Sequence, residues 1–212
     1  PATASCYMYY GKSLDMEVKQ TIAGNNAIGF AQQVINAHQG VDNTPPSVFI
    51  PQRFPYNPGG KEFGPIYGYK EFTSPSDFFI WTFAYDVSGL QSVVLKYRTD
   101  KDDSNPITDN DNDTYNGGNG VNEWHSTNMS MRVMETGNVA NDPEIDFFVL
   151  PTSIANLYYA QITGLKDTLV DYYVEATDAK GNIFRTPIQH VYVGSATSTN
   201  NNAAWEPINM AF

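Results

Sequence analysis

The segment from Asp100 to Asp113 carries the densest set of side chains in the sequence that could bind a ligand. Six aspartates lie in this acidic segment against a single lysine, Lys101, which gives a local charge of −5. The six are Asp100, Asp102, Asp103, Asp109, Asp111 and Asp113. Carboxylates this close repel one another unless water or a shared cation screens their charge.

The run Asp109-Asn-Asp-Asn-Asp113 places oxygen ligands at every second residue, a spacing that lets a loop wrap a calcium ion. It is not an EF-hand, because Thr114 stands where that motif has glycine and Gly120 where it has a bidentate glutamate. We predict a calcium site here, and the alternative is a mobile, solvated connector between strands. The predicted ligands are Asp109, Asp111 and Asp113, with Asp102 or Asp103 as further ones.

Aromatic residues outside the predicted strands are a second group that could bind a ligand, because sugar rings stack on such side chains. They are Trp124, Trp205, Tyr56, Tyr67 and Tyr69. The competing and favoured interpretation is that these rings fix irregular backbone onto a core. The candidates kept for a carbohydrate site are Trp124, Tyr67 and Tyr69, of which Trp124 is the strongest.

Catalytic machinery is not expected. The three histidines, His38, His125 and His190, are scattered without metal-ligand spacing. The lone cysteine, Cys6, has no acid–base pattern beside it and is interpreted as a small buried hydrophobic residue. A glycosidase needs two opposed carboxylates in a cleft, and nothing singles out such a pair here.

The net charge of the chain argues against two classes of binding partner. A net charge of −11 argues against nucleic acid and against anionic membrane surfaces, both of which repel such a chain. No apolar run approaches the roughly 20 residues of a membrane span. An aromatic share of 14% with only 17% charged residues is typical of an all-β protein outside the cell, so we expect an extracellular or cell-surface location. Because the chain begins at Pro1, we expect it to be processed or excised from a longer one.

Four regions differ in composition. Residues 1–40 carry helical periodicity and predict a helical appendage, which packs on this chain or on a neighbour. Residues 41–76 are rich in proline and glycine and predict an irregular connector with an edge strand at Ser47–Ile50. Residues 77–194 predict a β-sandwich domain. Residues 195–212 predict a linker and a docking tail, whose apolar side chains are Trp205, Ile208, Met210 and Phe212.

Strands are indicated by alternating or continuous apolar residues. The segment 78–85 is apolar on both faces and predicts a central strand. In the segment 170–177, the even positions face one way and the odd positions the other, and residues 178–182 predict a hairpin turn. Further strands are predicted at 93–98, 129–134, 145–149, 158–162 and 188–193. About seven short strands make a sandwich of the immunoglobulin or fibronectin III type.

Two stretches resemble known families. Asp171-Tyr-Tyr-Val-Glu-Ala-Thr-Asp-Ala-Lys-Gly-Asn182, preceded by Ile162-Thr-Gly-Leu165, resembles the last hairpin of fibronectin III and bacterial immunoglobulin-like accessory modules. The resemblance implies that Tyr172 is a corner tyrosine, with its ring in the core and its hydroxyl bound to backbone. Thr3-Ala-Ser-Cys-Tyr-Met-Tyr-Tyr-Gly11 resembles a segment in family 57 glycoside hydrolases, which act on α-glucans. That family's catalytic carboxylates lie in an upstream barrel, so no catalytic residue is carried over.

Two functions remain open. The first is a calcium-stabilised, non-catalytic sandwich that acts in assembly outside the cell and associates through its terminal segments. The alternative is an α-glucan-binding accessory module of an amylolytic glycoside hydrolase.

Overall fold

The computed structural model describes residues 42–63, 71–108, 110–134 and 155–197. These residues form β-strands and no α-helix. The strands are β1 Ser47–Val48, β2 Gln52–Phe54, β3 Lys61–Phe63, β4 Glu71–Thr73, β5 Phe78–Tyr85, β6 Leu90–Thr99, β7 His125–Asn128, β8 Ser130–Arg132, β9 Asn156–Ile162, β10 Thr168–Asp178, β11 Ile183–Arg185 and β12 Gln189–Val193. Within the same residues, no helix has the length and apolar character that crossing a bilayer requires.

Two antiparallel sheets face each other. Sheet 1 has the order β1-β5-β9-β8, and β2 also pairs with β5. Sheet 2 has the order β11-β10-β6-β7, and β12 also pairs with β10. A single residue, Met129, separates β7 of sheet 2 from β8 of sheet 1, so the chain changes sheets there. The mainly β sandwich expected from the sequence is confirmed, and β3 with β4 forms a separate two-stranded ladder.

The main core lies between the sheets and is made of inward-facing residues from both. Its buried members are Phe78, Ile80, Ala84, Val93, Leu95, Met129, Tyr158, Ala160, Ile162, Val170, Tyr172, Val174, Ala176, Val191 and Val193. The predicted alternation in β10 is confirmed, because its even positions from 170 to 176 all belong to this core.

Strand β5 is buried on both faces, as its continuous apolar sequence predicts. Phe78 and Ile80 face the main core. On the opposite face, Phe83 joins a second cluster with Leu157 and Met134. The turn predicted at residues 178–182 is also confirmed, since β10 ends at Asp178 and β11 begins at Ile183.

Two glycines bring the chain before β3 against the chain after β12. The amide of Gly194 donates to the carbonyl of Pro58, and the amide of Ala196 donates to the carbonyl of Gly59. A Cβ on either Gly59 or Gly194 would overlap the backbone of the other, and Gly59 also has a φ of +68°. Glycine is therefore required at both positions, and the close approach fixes the end of the sandwich to the connector.

The corner-tyrosine prediction is half right. The ring of Tyr172 is fully buried in the core, but its hydroxyl donates to Gln189 Oε1 at 2.9 Å and accepts from Arg53 Nη1 at 3.2 Å. Side chains from β2 and β12 therefore replace the backbone partner that the resemblance implied. Burial raises the pKa of this hydroxyl, with the Arg53 hydrogen bond opposing the shift.

Several predictions lie outside the described residues. They are the N-terminal helical appendage at 1–40, the strand at 145–149 and the docking tail with Trp205, Ile208, Met210 and Phe212. Association through these segments stays a prediction.

Candidate functional site

The outer face of sheet 2 carries a buried ion pair. From the alternation of apolar and polar residues alone, side chains on this face would be expected to contact solvent. Arg98 of β6 and Asp171 of β10 stand opposite each other in the strand register. Arg98 Nε donates to Asp171 Oδ2 at 2.9 Å, and the side chains are only 1% and 0% exposed. Both charges are buried on the outward face because the β6–β7 loop, of which residues 100–108 and 110–124 are described, folds back over it.

The guanidinium of Arg98 binds the backbone of this loop at three residues. Its Nη2 donates to the backbone carbonyls of Asp111, Asn112 and Thr114, at 2.5, 3.0 and 3.2 Å. Backbone carbonyls turned towards one point are how loops hold cations. In this loop the chain supplies the cation itself.

Asn112 connects the carboxylate of Asp171, the ion-pair partner of Arg98, to that of Asp100. It is 1% exposed, and its Nδ2 donates to Asp100 Oδ2 at 2.8 Å and to both oxygens of Asp171 at 3.1 Å. Burial works against ionisation of Asp100, but hydrogen bonds from Asn112 and the amide of Asp102 outweigh it and lower the pKa of that carboxyl. One amide and one guanidinium thus bridge two buried carboxylates, Asp100 and Asp171.

His190 of β12 fastens the edge of the loop to the sheet. Its Nδ1 lies 2.8 Å from Asp171 Oδ1, and its Nε2 lies 3.1 Å from Asp113 Oδ1. The hydrogen bond with Asp171 raises the pKa of the imidazole, burial opposes this, and the charge of Asp113 adds to the rise. Protonated His190 donates to both carboxylates at once.

Aromatic rings complete the packing of the loop. Trp124 lies with its ring 4.1 Å from the Arg98 guanidinium and edge-on to Tyr173 at 4.8 Å. Its Nε1 donates to the carbonyl of Tyr115 at 2.7 Å. Tyr115 also packs edge-on against Tyr173, at 4.9 Å, and remains 37% exposed. Trp124 is half-buried, so part of its ring faces solvent in a fixed orientation.

The predicted calcium ligands are held by separate partners. Asp111 Oδ2 accepts from the amide of Gly120, and Asp113 pairs with His190. Asp102 Oδ1 accepts from the amide of Ser104, and Asp103 Oδ1 accepts from the amide of Leu169. Asp109 lies outside the described residues, as do Tyr67 and Tyr69. Calcium binding by this segment therefore stays a prediction, whereas Trp124 is placed at the loop surface.

A second acidic site escaped the sequence analysis. Asp42, Asp86 and Asp178 come together at one end of the sandwich, and one ligand oxygen of each lies within 4.8 Å of the other two. We call these three residues the carboxylate cluster. Asp42 precedes β1, Asp86 begins the β5–β6 turn and Asp178 ends β10.

The pKa values of the three aspartates in the carboxylate cluster are shifted in different directions. Burial raises the pKa of Asp86; hydrogen bonds from Ser88 oppose that rise, and the neighbouring Asp42 adds to it. Hydrogen bonds from Thr44 lower the pKa of Asp42. Burial acts against ionisation of Asp178, yet hydrogen bonds from Asn182 outweigh it and lower the pKa. Each aspartate begins an Asp-x-Thr, Asp-x-Ser or Asp-x-Lys turn, which is a weak sequence signal that could have drawn attention to it.

Comparison with known proteins connects the chain to amylolytic enzymes. It is 31% identical over 212 residues to an alpha-amylase from Niallia circulans, a match that covers 92% of this chain and 16% of that relative. The chain thus spans about a sixth of the length of this relative. No protein-family model matches.

A structural similarity is also found, to a cycloalternan-degrading enzyme from Trueperella pyogenes in complex with a covalent intermediate. It covers 66% of this chain and 15% of that one, at 12% identity and a TM-score of 0.36. A similarity of this size supports no argument about function. The relation to family 57 and to fibronectin III modules stays a prediction.

Proposed function

We propose that this chain is a non-catalytic β-sandwich accessory module of an amylolytic enzyme and that it binds α-glucan. The observation that carries the proposal is the match to the alpha-amylase, which takes in nearly the whole of this chain but a small part of that enzyme. A sandwich with its own core is the kind of unit that accompanies a catalytic domain. We also propose that it acts outside the cell, as its composition indicates.

The glycan surface we propose is centred on Trp124 and Tyr115. Arg98 and Tyr173 hold the Trp124 ring in place, so a sugar that stacks on its accessible part meets a ring that is already oriented. Glu123, the neighbour of Trp124 in sequence, is exposed and offers a carboxylate to sugar hydroxyl groups. An apolar ring with hydrogen-bonding groups at its rim is the usual composition of a sugar site.

Retention on insoluble starch and calorimetric titration with maltoheptaose test this proposal. We expect the wild-type chain to bind both, and Trp124→Ala to weaken maltoheptaose binding by roughly tenfold or more, because a buried aromatic contact contributes about 1.5–3 kcal/mol. The control is Tyr192→Ala, which removes a tyrosine that is 52% exposed on β12.

Trp124→Phe keeps a ring on Arg98 and separates loss of the sugar contact from loss of the loop. Thermal unfolding of each variant shows whether the sandwich is intact. A wild-type chain that binds neither ligand contradicts the proposed function. Full binding by a folded Trp124→Ala variant contradicts the proposed position of the site.

A further inference from the structure

We propose that Asp42, Asp86 and Asp178 form a binding site for a divalent cation with the ligand preference of calcium. The inference is independent of α-glucan binding. It starts from the convergence of three carboxylates that are distant in sequence, each with one oxygen within 4.8 Å of the others. Calcium–oxygen distances are about 2.3–2.6 Å, so oxygens on opposite sides of one calcium ion are separated by about this span.

A buried oxygen without a hydrogen-bond donor points to a missing ligand. Asp42 Oδ2 is inaccessible to solvent, and no donor among the described residues reaches it. Its sister oxygen Oδ1 is satisfied by the amide and the hydroxyl of Thr44. A carboxylate oxygen that is removed from water without compensation costs far more than a normal surface contact returns, so a native structure supplies a partner to such an atom.

Among the described residues, no cationic side chain neutralises the three carboxylates. In residues 42–63, 71–108, 110–134 and 155–197, no lysine or arginine forms an ion pair with any member of the carboxylate cluster. Asp178 is fully buried, and Asp86 is 9% exposed. Burial raises the pKa of Asp86, and repulsion from the nearby Asp42 adds to the rise. A cation removes this repulsion and gives Asp42 Oδ2 its partner.

The three side chains are already oriented. Asp86 Oδ1 accepts from the amide and hydroxyl of Ser88, both at 2.8 Å. Asp178 Oδ1 accepts from the amides of Lys180 and Asn182, both at 2.8 Å. Carboxylates fixed in this way lose little freedom when they bind a metal. An all-oxygen set favours calcium or magnesium over zinc or copper, and calcium tolerates irregular ligand geometry better than magnesium does.

Calcium bound there would join three separate segments of the sandwich. Asp42 lies on the approach to β1, Asp86 follows β5, and Asp178 closes β10. The ion would therefore fasten the connector to both sheets at one end of the module. Stabilisation of the folded chain by calcium follows, because the unfolded chain cannot bring the three ligands together.

Calorimetric titration of the metal-free chain with calcium chloride tests the site, with thermal unfolding in calcium and in chelator as a second measurement. We expect one calcium per chain and, at about one hundred times the dissociation constant, a rise in Tm of roughly 5–10 °C. Magnesium at the same concentration should produce a smaller rise. Asp42→Asn should weaken calcium binding by roughly tenfold or more, because it removes a ligand charge and keeps the Thr44 contact.

The matched control is the double variant Asp111→Asn/Asp113→Asn, which removes two charges from the acidic segment and should retain the calcium effect. An unchanged Tm in calcium at about 10 mM would overturn the proposal. Calcium binding that survives Asp42→Asn but disappears in the double variant would also overturn it, and would place the ion in the β6–β7 loop. A proton shared between Asp42 and Asp86 is the remaining alternative, and it predicts no response to calcium at all.

Discussion

The β6–β7 loop and the carboxylate cluster both gather aspartates, but only the loop encloses a cation supplied by the chain. In the loop, Arg98 collects three backbone carbonyls and pairs with Asp171, while Asn112 joins Asp171 to Asp100. In the cluster, Asp42, Asp86 and Asp178 receive hydrogen bonds from short turns, yet one oxygen of Asp42 has no donor among the described residues. The number of acidic residues in a stretch of sequence therefore says less about metal binding than whether the fold supplies counter-charges where they converge.

Removing the internal cation of the loop should have the largest effect. Arg98→Met deletes the charge and leaves Asp171 buried without a partner, so we expect a loss of about 3–5 kcal/mol in the free energy of unfolding. Urea unfolding followed by Trp fluorescence measures it, and the exposed pair Arg185–Glu175 offers the control. Arg185→Met should cost no more than about 1 kcal/mol. Equal losses in the two variants would mean that the loop does not depend on Arg98.

The second largest loss of stability is expected when a third carboxylate is placed in the β6–β7 loop, which makes it resemble the carboxylate cluster. Asn112→Asp replaces an amide that donates to two carboxylates by a third carboxylate. We expect a loss of about 1–3 kcal/mol in chelator, since buried hydrogen bonds to charged groups are lost. Asn112→Leu is the control that removes the donor without adding charge. A full recovery of Asn112→Asp in calcium would show that the two regions are interchangeable and would break the comparison.

The pH dependence of the loop should depend on His190. Its raised pKa means that the folded state binds the proton more tightly than the unfolded state. The stabilisation is therefore complete below the unfolded pKa, near 6.5, and is lost as the pH rises through the folded value. We expect a contribution of the order of 1 kcal/mol, because the ring is 27% exposed and water screens part of the charge.

Unfolding of the wild type and of His190→Gln at a series of pH values from about 5.5 to 9 measures this contribution. The two stability curves should converge on the alkaline side. The carboxylates that face the imidazole are Asp171, at 2.8 Å, and Asp113, at 3.1 Å. A difference between the two proteins that stays constant with pH would contradict a charged role for His190.

The smallest effect is expected in the carboxylate cluster, where one substitution should raise the stability of the chain in chelator and lower it in calcium. Asp86→Asn removes a buried charge and its repulsion from Asp42 and keeps an acceptor for Ser88, so it should stabilise the chain in chelator by a few tenths of a kcal/mol. In calcium the same variant should be less stable than the wild type, because it lacks a ligand charge. Thermal unfolding in both buffers decides, and destabilisation in chelator would contradict the account of repulsion.

The strands were predictable because their pattern is local. The alternation from Val170 to Thr177 and the apolar run from Phe78 to Tyr85 each state which faces are buried. The alternation also predicts that Asp171 and Tyr173 face outwards, which is right for the sheet. It could not show that both are buried, at 0% and 4% exposure, because the cover comes from a loop distant in sequence.

The candidate sites were predictable only where their residues are neighbours in sequence. The acidic segment was visible as a run of aspartates, although the cation at its centre comes from Arg98 of β6. Asp42, Asp86 and Asp178 are separated by strands and turns, and only the register of both sheets brings them together. Their Asp-x-Ser and Asp-x-Thr turns resemble any other turn in a β protein. Trp124 was identified by its type, but its contact with Arg98 was not.

The three carbonyls held by Arg98 should also govern local unfolding of the β6–β7 loop. Amides within the loop, such as those of Asp113, Gly117 and Gly120, are bonded to acceptors inside the same loop. These acceptors lie on Asn110, Thr114 and Asp111, and the guanidinium binds the backbone carbonyls of the last two residues. Hydrogen exchange should therefore find them as one cooperative unit, with a common opening free energy below that of the β6–β10 ladder. The outer layer of this sandwich would then behave as a separate foldon on a more stable frame.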